Sequence, residues 1–163
     1  MGNDLTKVHI DLPNHWATGG ESIWARALGE NRFQIDNVPF YAYDLNHEDI
    51  VEAVPSAPNL KPSVLRVLQR SGHRTLRVFF AETIPEDECV NQLESLNSLH
   101  VTYERSTARY VALDLAPSSE MTKVRTRLDE WQAAGIAEYE TCEARVPGSF
   151  DDVPQPDNSR AAG

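Results

Sequence analysis

The feature that most constrains the fold is a succession of apolar patterns that begins at Thr75. The segment "TLRVFFAE" alternates Leu76, Val78 and Phe80, which is typical of a half-buried strand. Two later segments instead have helical spacing, and strand-like segments separate and follow them. The apolar positions of these two segments are Cys89, Leu93 and Leu96, and then Met121, Val124, Leu128 and Trp131.

The order of these segments predicts the topology of the second half of the chain. "VTYE" and "RYVALDL" indicate a hairpin between the two helices, and "IAEYETCEAR" supplies a last strand. A strand–helix–strand–strand–helix–strand order packs as four antiparallel strands with both helices on one face, the ferredoxin-like arrangement. Thr83 to Glu86 resembles a capping box, Ser118 or Ser119 can cap the second helix, and Gly135 suits its C-terminal end.

Short strands separated by turns predict the structure of the first half. Val8, Ile10 and Leu12 alternate with polar residues, and "IWARAL" and "RFQID" flank residues 29–31 as in a hairpin. "IVEAV" is another strand, and "SVLRVLQR" and "TLRVFF" lie on either side of a hairpin or sharp turn at residues 71–73. This pattern favours a small antiparallel barrel-like sheet.

The predicted fold class is therefore α+β, a barrel-like sheet fused to a ferredoxin-like module through a shared interface. We expect a flexible leader at residues 1–6, an all-β module at 7–74, the ferredoxin-like module at 75–146 and a disordered acidic, Pro-rich tail at 147–163.

Composition excludes several classes of protein. No window of the 163 residues is apolar enough for a membrane span, and the N-terminal residues have no export pattern, so we expect a cytoplasmic protein. Cys89 and Cys142 lie far apart without CxxC spacing, which favours buried free thiols over a redox pair or a zinc site. No motif for a cofactor occurs.

Charge points to the kind of partner. The net charge is −10, of which residues 76–163 contribute −8, from eight Lys and Arg against sixteen Asp and Glu. Nucleic acid would be repelled and a basic protein attracted.

Three groups of residues invite a catalytic interpretation, and each has a plainer one. Asp44, His47, Glu48 and Asp49 could form a metal or acid–base site, but "DLNHED" also has the composition of a turn. Ser71 beside His73 could be a nucleophile with its base, yet Ser-Gly-His is first of all a turn. Cys89 could be activated at a helix start, although its place in the apolar stripe favours an inert thiol. We predict a turn, and neither catalytic residues nor a metal ion.

Three further sets are candidate binding surfaces. Acids near the first helix could contact a basic partner, or could simply complement the helix dipole. Arginines on successive strands could bind an anion, or could be a solvated hairpin face. The third set is an aromatic pocket between the modules. The acidic face is Glu82, Glu86, Asp87, Glu88 and Glu94; the basic stripe is Arg66, Arg70, Arg74 and Arg77; the pocket is Trp24, Phe40, Tyr41, Tyr43 and His47.

Several motifs resemble the bacterial family known as domain of unknown function 4265. They are a Trp-Ala strand at Trp24 and Ala25, "NVPF" at residues 37–40 where the family pattern is N-I-P-F, "DIV" at 49–51 where it is D-V-V, and "SGHRTLRV" at 71–78 where it is S-G-x-x-T-L-R-V. The resemblance covers roughly residues 8–80 and continues more weakly to about 146. It implies a small bacterial cytoplasmic domain and assigns no activity or catalytic residue.

Three functions remain in competition. The first, which we favour, is a non-catalytic protein whose acidic face docks a basic protein partner, as an immunity or regulatory protein does. The second is a small-molecule sensor with its ligand in the cleft between the modules. The third is a hydrolase that uses the Asp44–Asp49 region, and it requires those residues to converge in a cleft.

Overall fold

The computed structural model describes residues 5–154, which form a mixed α+β protein with two antiparallel sheets and few helices. The first sheet contains strands β1 to β5. They are Leu5–Asp11, Gly20–Gly29, Arg32–Ile35, Ile50–Pro55 and Pro62–Gln69. Neighbouring strands pair antiparallel in chain order, and β1 then pairs parallel with β5 at His9 and Ser63, so that this sheet is closed by hydrogen bonds.

The second sheet contains β6 to β9 and packs against two α-helices. Its strands are Arg74–Phe80, Val101–Arg105, Tyr110–Leu115 and Ala137–Thr141, in the spatial order β7-β8-β6-β9. Helix α1 spans Glu86–Glu94, a 3₁₀ helix spans Asn97–Leu99, and α2 spans Met121–Ala133. The predicted order of elements is thus observed. No helix among residues 5–154 is long and apolar enough to cross a membrane.

Each sheet has its own apolar core. The predicted alternation of Val8, Ile10 and Leu12 is confirmed, since all three side chains are buried inside the first sheet. The predicted helical stripes are also confirmed, because Leu93 of α1 and Leu128 of α2 pack against the same face of the second sheet. Burial of these faces removes apolar surface from water and supplies most of the driving force for folding.

The predicted N-terminal caps of the two helices are wrong. Helix α1 begins after Pro85 and α2 after Glu120, and neither position has a side-chain capping hydrogen bond. Ser119, one of the two residues expected to cap α2, instead donates its hydroxyl to the carbonyl of Leu99 at 2.7 Å. Gly135 does end α2 with a positive φ of 73°.

The structure also corrects the predicted limits of the N-terminal leader and the C-terminal tail. Residues 5 and 6, expected in the leader, belong to β1, while residues 1–4 lie outside the described part. Phe150, expected in a disordered tail, packs against the core of the first sheet, and the Asp151 carboxylate accepts the Asn14 N–H at 2.8 Å. The rest of the predicted tail, residues 155–163, lies outside the described residues.

The helices pack on one face of the second sheet, and the chain between β3 and β4 covers the other face. This irregular segment, residues 36–49, lies between the two sheets. Its Asp44 N–H donates to the carbonyl of Cys142 at 2.7 Å, and its Val38 N–H donates to the Glu104 carboxylate at 2.6 Å. The Tyr110 hydroxyl donates to the carbonyl of Phe40. The segment therefore joins the sheets through its backbone.

A buried arginine and a buried glutamate hold the middle of this segment. Arg77 of β6 is fully buried and donates to the carbonyls of Pro39, Tyr41 and Ala42 at 3.2, 3.2 and 2.9 Å, and to Glu140 at 3.0 Å. From the other side, the Glu21 carboxylate of β2 accepts the backbone N–H groups of residues 40–42 at 2.7 to 3.0 Å. We call this arrangement the Glu21–Arg77 clamp.

Removal of the arginine should destabilise the protein strongly. In Arg77→Met, Glu140 and three carbonyls lose a charged donor inside the protein, and breaking a buried pair of this kind costs about 3–5 kcal/mol. Urea unfolding followed by circular dichroism measures the loss in the free energy of unfolding.

The matched control is Arg66→Met. The Arg66 side chain is 68% exposed and pairs with Glu52 on the surface of the first sheet, so its loss should change the free energy of unfolding by about 0.5 kcal/mol or less. Equal effects of the two substitutions would contradict the structural role of the clamp.

Candidate functional site

The turn that precedes β4 has the hydrogen bonds expected of its sequence. Asp44 and Glu48 have positive φ angles of 60° and 68°. The Asp49 carboxylate is fully buried and accepts the N–H groups of Asn46 at 2.9 Å and Ser71 at 2.8 Å. Asp49 thus ties this turn to the turn that precedes β6, and its oxygens face backbone donors rather than a cleft.

Two histidines that are distant in sequence meet at this junction. The Ser71 hydroxyl donates to the carbonyl of His47 at 2.6 Å and accepts the N–H of His73 at 3.1 Å. The imidazole centroids of His47 and His73 are 5.1 Å apart. Since the O–H and one lone pair of the Ser71 hydroxyl are engaged with the backbone of His47 and His73, its role here is to position the two histidines.

Asp114 of β8 bridges the two imidazole rings. Its Oδ2 lies 3.1 Å from His47 Nδ1, and its Oδ1 lies 2.8 Å from His73 Nδ1. On the opposite side of the His73 ring, Nε2 lies 3.2 Å from Glu48 Oε2. We call these four residues, Glu48 included, the junction cluster.

Electrostatics inside the junction cluster favour the charged forms of two members. The hydrogen bond to Asp114 raises the pKa of His47, although burial of the ring opposes this. Burial alone would raise the pKa of Asp114, but the hydrogen bonds from both histidines outweigh it, and the pKa of this carboxyl is lowered. The Asp114 carboxylate is therefore held in its charged form at a nearly buried position.

The geometry of the cluster also suits a metal ion. Among residues 5–154, one ligand atom from each of His47, Glu48 and His73 lies within 4.8 Å of the others. Sequence reasoning identified His47 and Glu48 as candidates but missed Asp114, and it considered His73 only with Ser71. The one available signal was an aspartate inside the otherwise apolar strand "YVALDL".

Asp44, the other acid of the predicted group, faces away from the junction cluster. Arg70 Nη2 lies 2.9 Å from the Asp44 carboxylate, and Arg70 Nη1 donates to the Asp44 carbonyl at 2.7 Å. The Asp44–Asp49 region therefore does not converge as a whole, since His47 and Glu48 alone point to the cluster.

The four arginines predicted to form a basic stripe do not share one exposed face. Arg66 pairs with Glu52 at 2.9 Å, and Arg74 donates to the carbonyl of Ser119 at 2.8 Å. Arg70 pairs with Asp44, and Arg77 is buried in the clamp. The pattern is broken because β5 and β6 belong to different sheets, so that residues 71–73 form the predicted alternative, a sharp turn, and not a hairpin.

The residues of the predicted aromatic pocket do not form one pocket, and His47 belongs to the junction cluster instead. Trp24 lies 43% exposed on the first sheet, with the Lys7 ammonium 5.1 Å from its ring. Tyr43 is buried in the junction, with the guanidinium groups of Arg77 and Arg145 at 4.8 and 4.5 Å from its ring. Phe40 and Tyr41 pack on Tyr110 instead, at centroid distances of 6.0 and 5.7 Å.

The acids of the predicted acidic face are exposed around α1. Glu82 precedes the helix, Glu86, Asp87 and Glu88 lie in its first turn, and Glu94 ends it. The buried side of this helix carries Cys89 and Leu93, which pack on the second sheet. The five carboxylates therefore lie in solvent.

These features define a class of protein, a mixed α+β protein of two antiparallel sheets joined by a buried charged clamp. The chain belongs to the family described as domain of unknown function 4265 (DUF4265), whose model matches residues 21–139. The resemblance found in the sequence motifs is thus confirmed. A comparison with curated proteins gives no match.

A solved structure shares the fold. The crystal structure of a hypothetical protein from Neisseria gonorrhoeae superimposes with a TM-score of 0.71 at 15% sequence identity, and the match covers 88% of this chain and 97% of that chain. Identity at this level shows a common fold and carries no functional residue from one protein to the other.

Both cysteines have the properties of inert core thiols. Cys89 lies in the core beneath α1, and burial raises the pKa of its thiol. Cys142 is 5% exposed, and burial raises its pKa to about 12. Because the thiolate is the reactive form, these environments suppress nucleophilic chemistry at both positions.

Neither thiol should therefore react with a disulfide reagent in the folded protein. We expect native protein at pH 8 to show no reaction with 5,5′-dithiobis(2-nitrobenzoate) over minutes, and denatured protein to release two equivalents at once. Mass spectrometry of proteolytic peptides identifies the labelled cysteine. Rapid native labelling of Cys89 would favour the activated thiol instead.

Proposed function

We propose that this protein is a non-catalytic binding protein whose acidic α1 surface docks a basic protein partner, in the manner of an immunity or regulatory protein. The α1 surface consists of the five exposed acids Glu82, Glu86, Asp87, Glu88 and Glu94. The observation that carries the proposal is that none of these carboxylates forms an ion pair among the described residues.

The helix dipole accounts for only part of this surface. Acids in a first turn stabilise a helix, which explains Glu86, Asp87 and Glu88. Glu94 lies in the last turn, where the dipole disfavours negative charge and where α1 has no basic residue. Glu82 precedes the helix altogether. These two positions are better explained by complementarity to a partner than by the stability of α1.

Two arginines close to the ends of α1 bind other groups and leave its acids without an ion pair within residues 5–154, and one of them, Arg127, donates to the Ser95 hydroxyl at 3.0 Å. Arg109 turns its guanidinium to the carbonyls of Ala81 and Ile84, both at 2.7 Å, and forms no ion pair with the α1 acids among the described residues. A negative surface of this kind accelerates encounter with a basic protein and repels acidic competitors.

The two competing functions have less support. A sensor needs an open cleft between the sheets, whereas the clamp and Tyr43 pack the centre of that junction. A hydrolase based on the Asp44–Asp49 region needs free carboxylates, whereas Asp44 pairs with Arg70 and Asp49 binds backbone N–H groups. The docking proposal requires neither an open cleft between the sheets nor free carboxylates in the Asp44–Asp49 region.

We also infer a finer description of the fold and the location of the protein. The β7-β8-β6-β9 order, with α1 and α2 against one face, supports a ferredoxin-like second module, and the pairing of β1 with β5 supports a small barrel for the first. Two buried free cysteines support a reducing, cytoplasmic environment.

Neutralising the α1 surface should abolish partner capture. The test variant carries Glu82→Gln, Glu86→Gln, Asp87→Asn, Glu88→Gln and Glu94→Gln, which remove five charges and preserve side-chain size. Tagged protein, cross-linked in lysate of the native host and analysed by mass spectrometry, should retain a basic protein that this variant retains about tenfold less. Higher salt should weaken the wild-type capture.

A second variant with five neutralised acids elsewhere controls for total charge. It carries Glu→Gln at five exposed positions remote from α1 in sequence: Glu30, Glu120, Glu130, Glu138 and Glu143. The control should capture the same partner as wild type. If both variants lose the partner equally, or if the captured proteins show no excess of basic ones, the α1 surface is not the docking site.

A further inference from the structure

We propose that the junction cluster is a binding site for a divalent transition-metal ion of the zinc class, with His47, Glu48 and His73 as ligands and Asp114 as the carboxylate that orients both histidines. This proposal is independent of the docking function, because it concerns different residues at the boundary between the two sheets. It rests on three geometric observations.

The first observation is convergence. His47 and Glu48 belong to the turn before β4, and His73 belongs to the turn before β6, yet one potential ligand atom from each lies within 4.8 Å of the others. The Glu48 Oε2 to His73 Nε2 distance is 3.2 Å. Two ligands bound tetrahedrally to zinc at about 2.0–2.1 Å lie about 3.3 Å apart, so this pair already has the required spacing.

The second observation is the position of Asp114 behind both rings. Each of its oxygens engages an Nδ1 atom, at 3.1 Å for His47 and 2.8 Å for His73. A histidine that binds a metal nearly always donates its other ring N–H to a carboxylate or a carbonyl, which fixes the tautomer and turns the lone pair toward the ion. Here one carboxylate does this for two histidines.

The third observation is that neutral His73 cannot satisfy both of its neighbours. Its Nδ1 faces Asp114 and its Nε2 faces Glu48, and both partners are carboxylates. A neutral imidazole has one N–H and one lone pair, so one carboxylate would face the lone pair. A metal ion bound at this position would contact the His73 lone pair and the Glu48 carboxylate together, with the His47 imidazole within reach.

The exposure of the three ligands and the chemistry of their donor atoms also fit a metal site. The Glu48 side chain is 51% exposed and the His47 side chain 26%, so an ion can enter from solvent while Asp114, at 7%, stays fixed beneath it. Two imidazole nitrogens and one carboxylate are a donor set suited to zinc and its first-row neighbours. Three protein ligands leave a fourth position for water.

Direct titration tests the site. Full-length protein, with the purification tag removed and treated with chelator, is titrated with zinc chloride by calorimetry, and cobalt(II) is used as a spectroscopic probe. We expect one zinc ion per chain and visible cobalt absorption typical of a four-coordinate site. Asp114→Asn should weaken zinc binding by about 10–100-fold, as loss of a supporting carboxylate does.

Matched double variants separate this site from adventitious binding. His47→Gln with His73→Gln should abolish binding, whereas His9→Gln with His100→Asn removes the same number of imidazoles from elsewhere in the chain and should leave it unchanged. Glu48→Gln alters a half-exposed side chain and should fold even if the first double variant does not. It should lose at least tenfold in zinc affinity.

Three results would overturn the proposal. One is a wild-type protein that binds no zinc, which would mean that a proton alone occupies the cluster. Another is zinc binding that survives both Glu48→Gln and His47→Gln with His73→Gln. The third is binding that the His9 and His100 substitutions abolish, which would place the ion on the outer surface.

Discussion

The structure depends on the side-chain hydrogen bonds that satisfy an irregular backbone segment inside the protein. Residues 39–42 form neither helix nor strand, so their N–H and C=O groups need partners from other elements. Glu21 accepts the N–H groups and Arg77 donates to the carbonyls, so a carboxylate and a guanidinium replace the missing ladder from the two sides. Because Glu21 belongs to the first sheet and Arg77 to the second, the same clamp joins the two halves.

The candidate metal site is a consequence of this clamp. With residues 39–42 fixed, the chain continues into the turn at 44–49, where Asp49 binds the Ser71 N–H and Ser71 binds the His47 carbonyl. These bonds bring His47 and Glu48 beside His73, above the Asp114 carboxylate. Four residues from three regions of the chain thus meet only because both sheets are docked through the segment at 36–49.

Features that depend on local periodicity could be predicted from the sequence, whereas features that depend on contacts between distant residues could not. The α1 and α2 stripes and the β1 alternation were predictable because a local period determines which side chains are buried. The sequence left a hairpin or a sharp turn open at residues 71–73, since the choice between pairing β6 with β5 or with β8 is decided by distant strands. The junction cluster could not be predicted for the same reason, because His73 and Asp114 lie 41 positions apart in the sequence. Arg77 was wrongly assigned to an exposed stripe because the alternation within β6 does not show what covers the second face of the sheet.

The motifs that first indicated the family lie largely at this junction. Asn37 accepts the Trp24 N–H at 2.8 Å, Asp49 and Ser71 connect the two turns, and Arg77 is the cation of the clamp. These residues satisfy backbone groups at the junction, so the motifs describe how the two sheets are joined rather than what the protein binds. The α1 acids, His47 and Glu48 lie outside the quoted motifs, and His73 occupies a variable position of the segment at 71–78. Family membership therefore supports the architecture and leaves both proposed binding surfaces to be tested on this chain, because a shared scaffold can carry different sites.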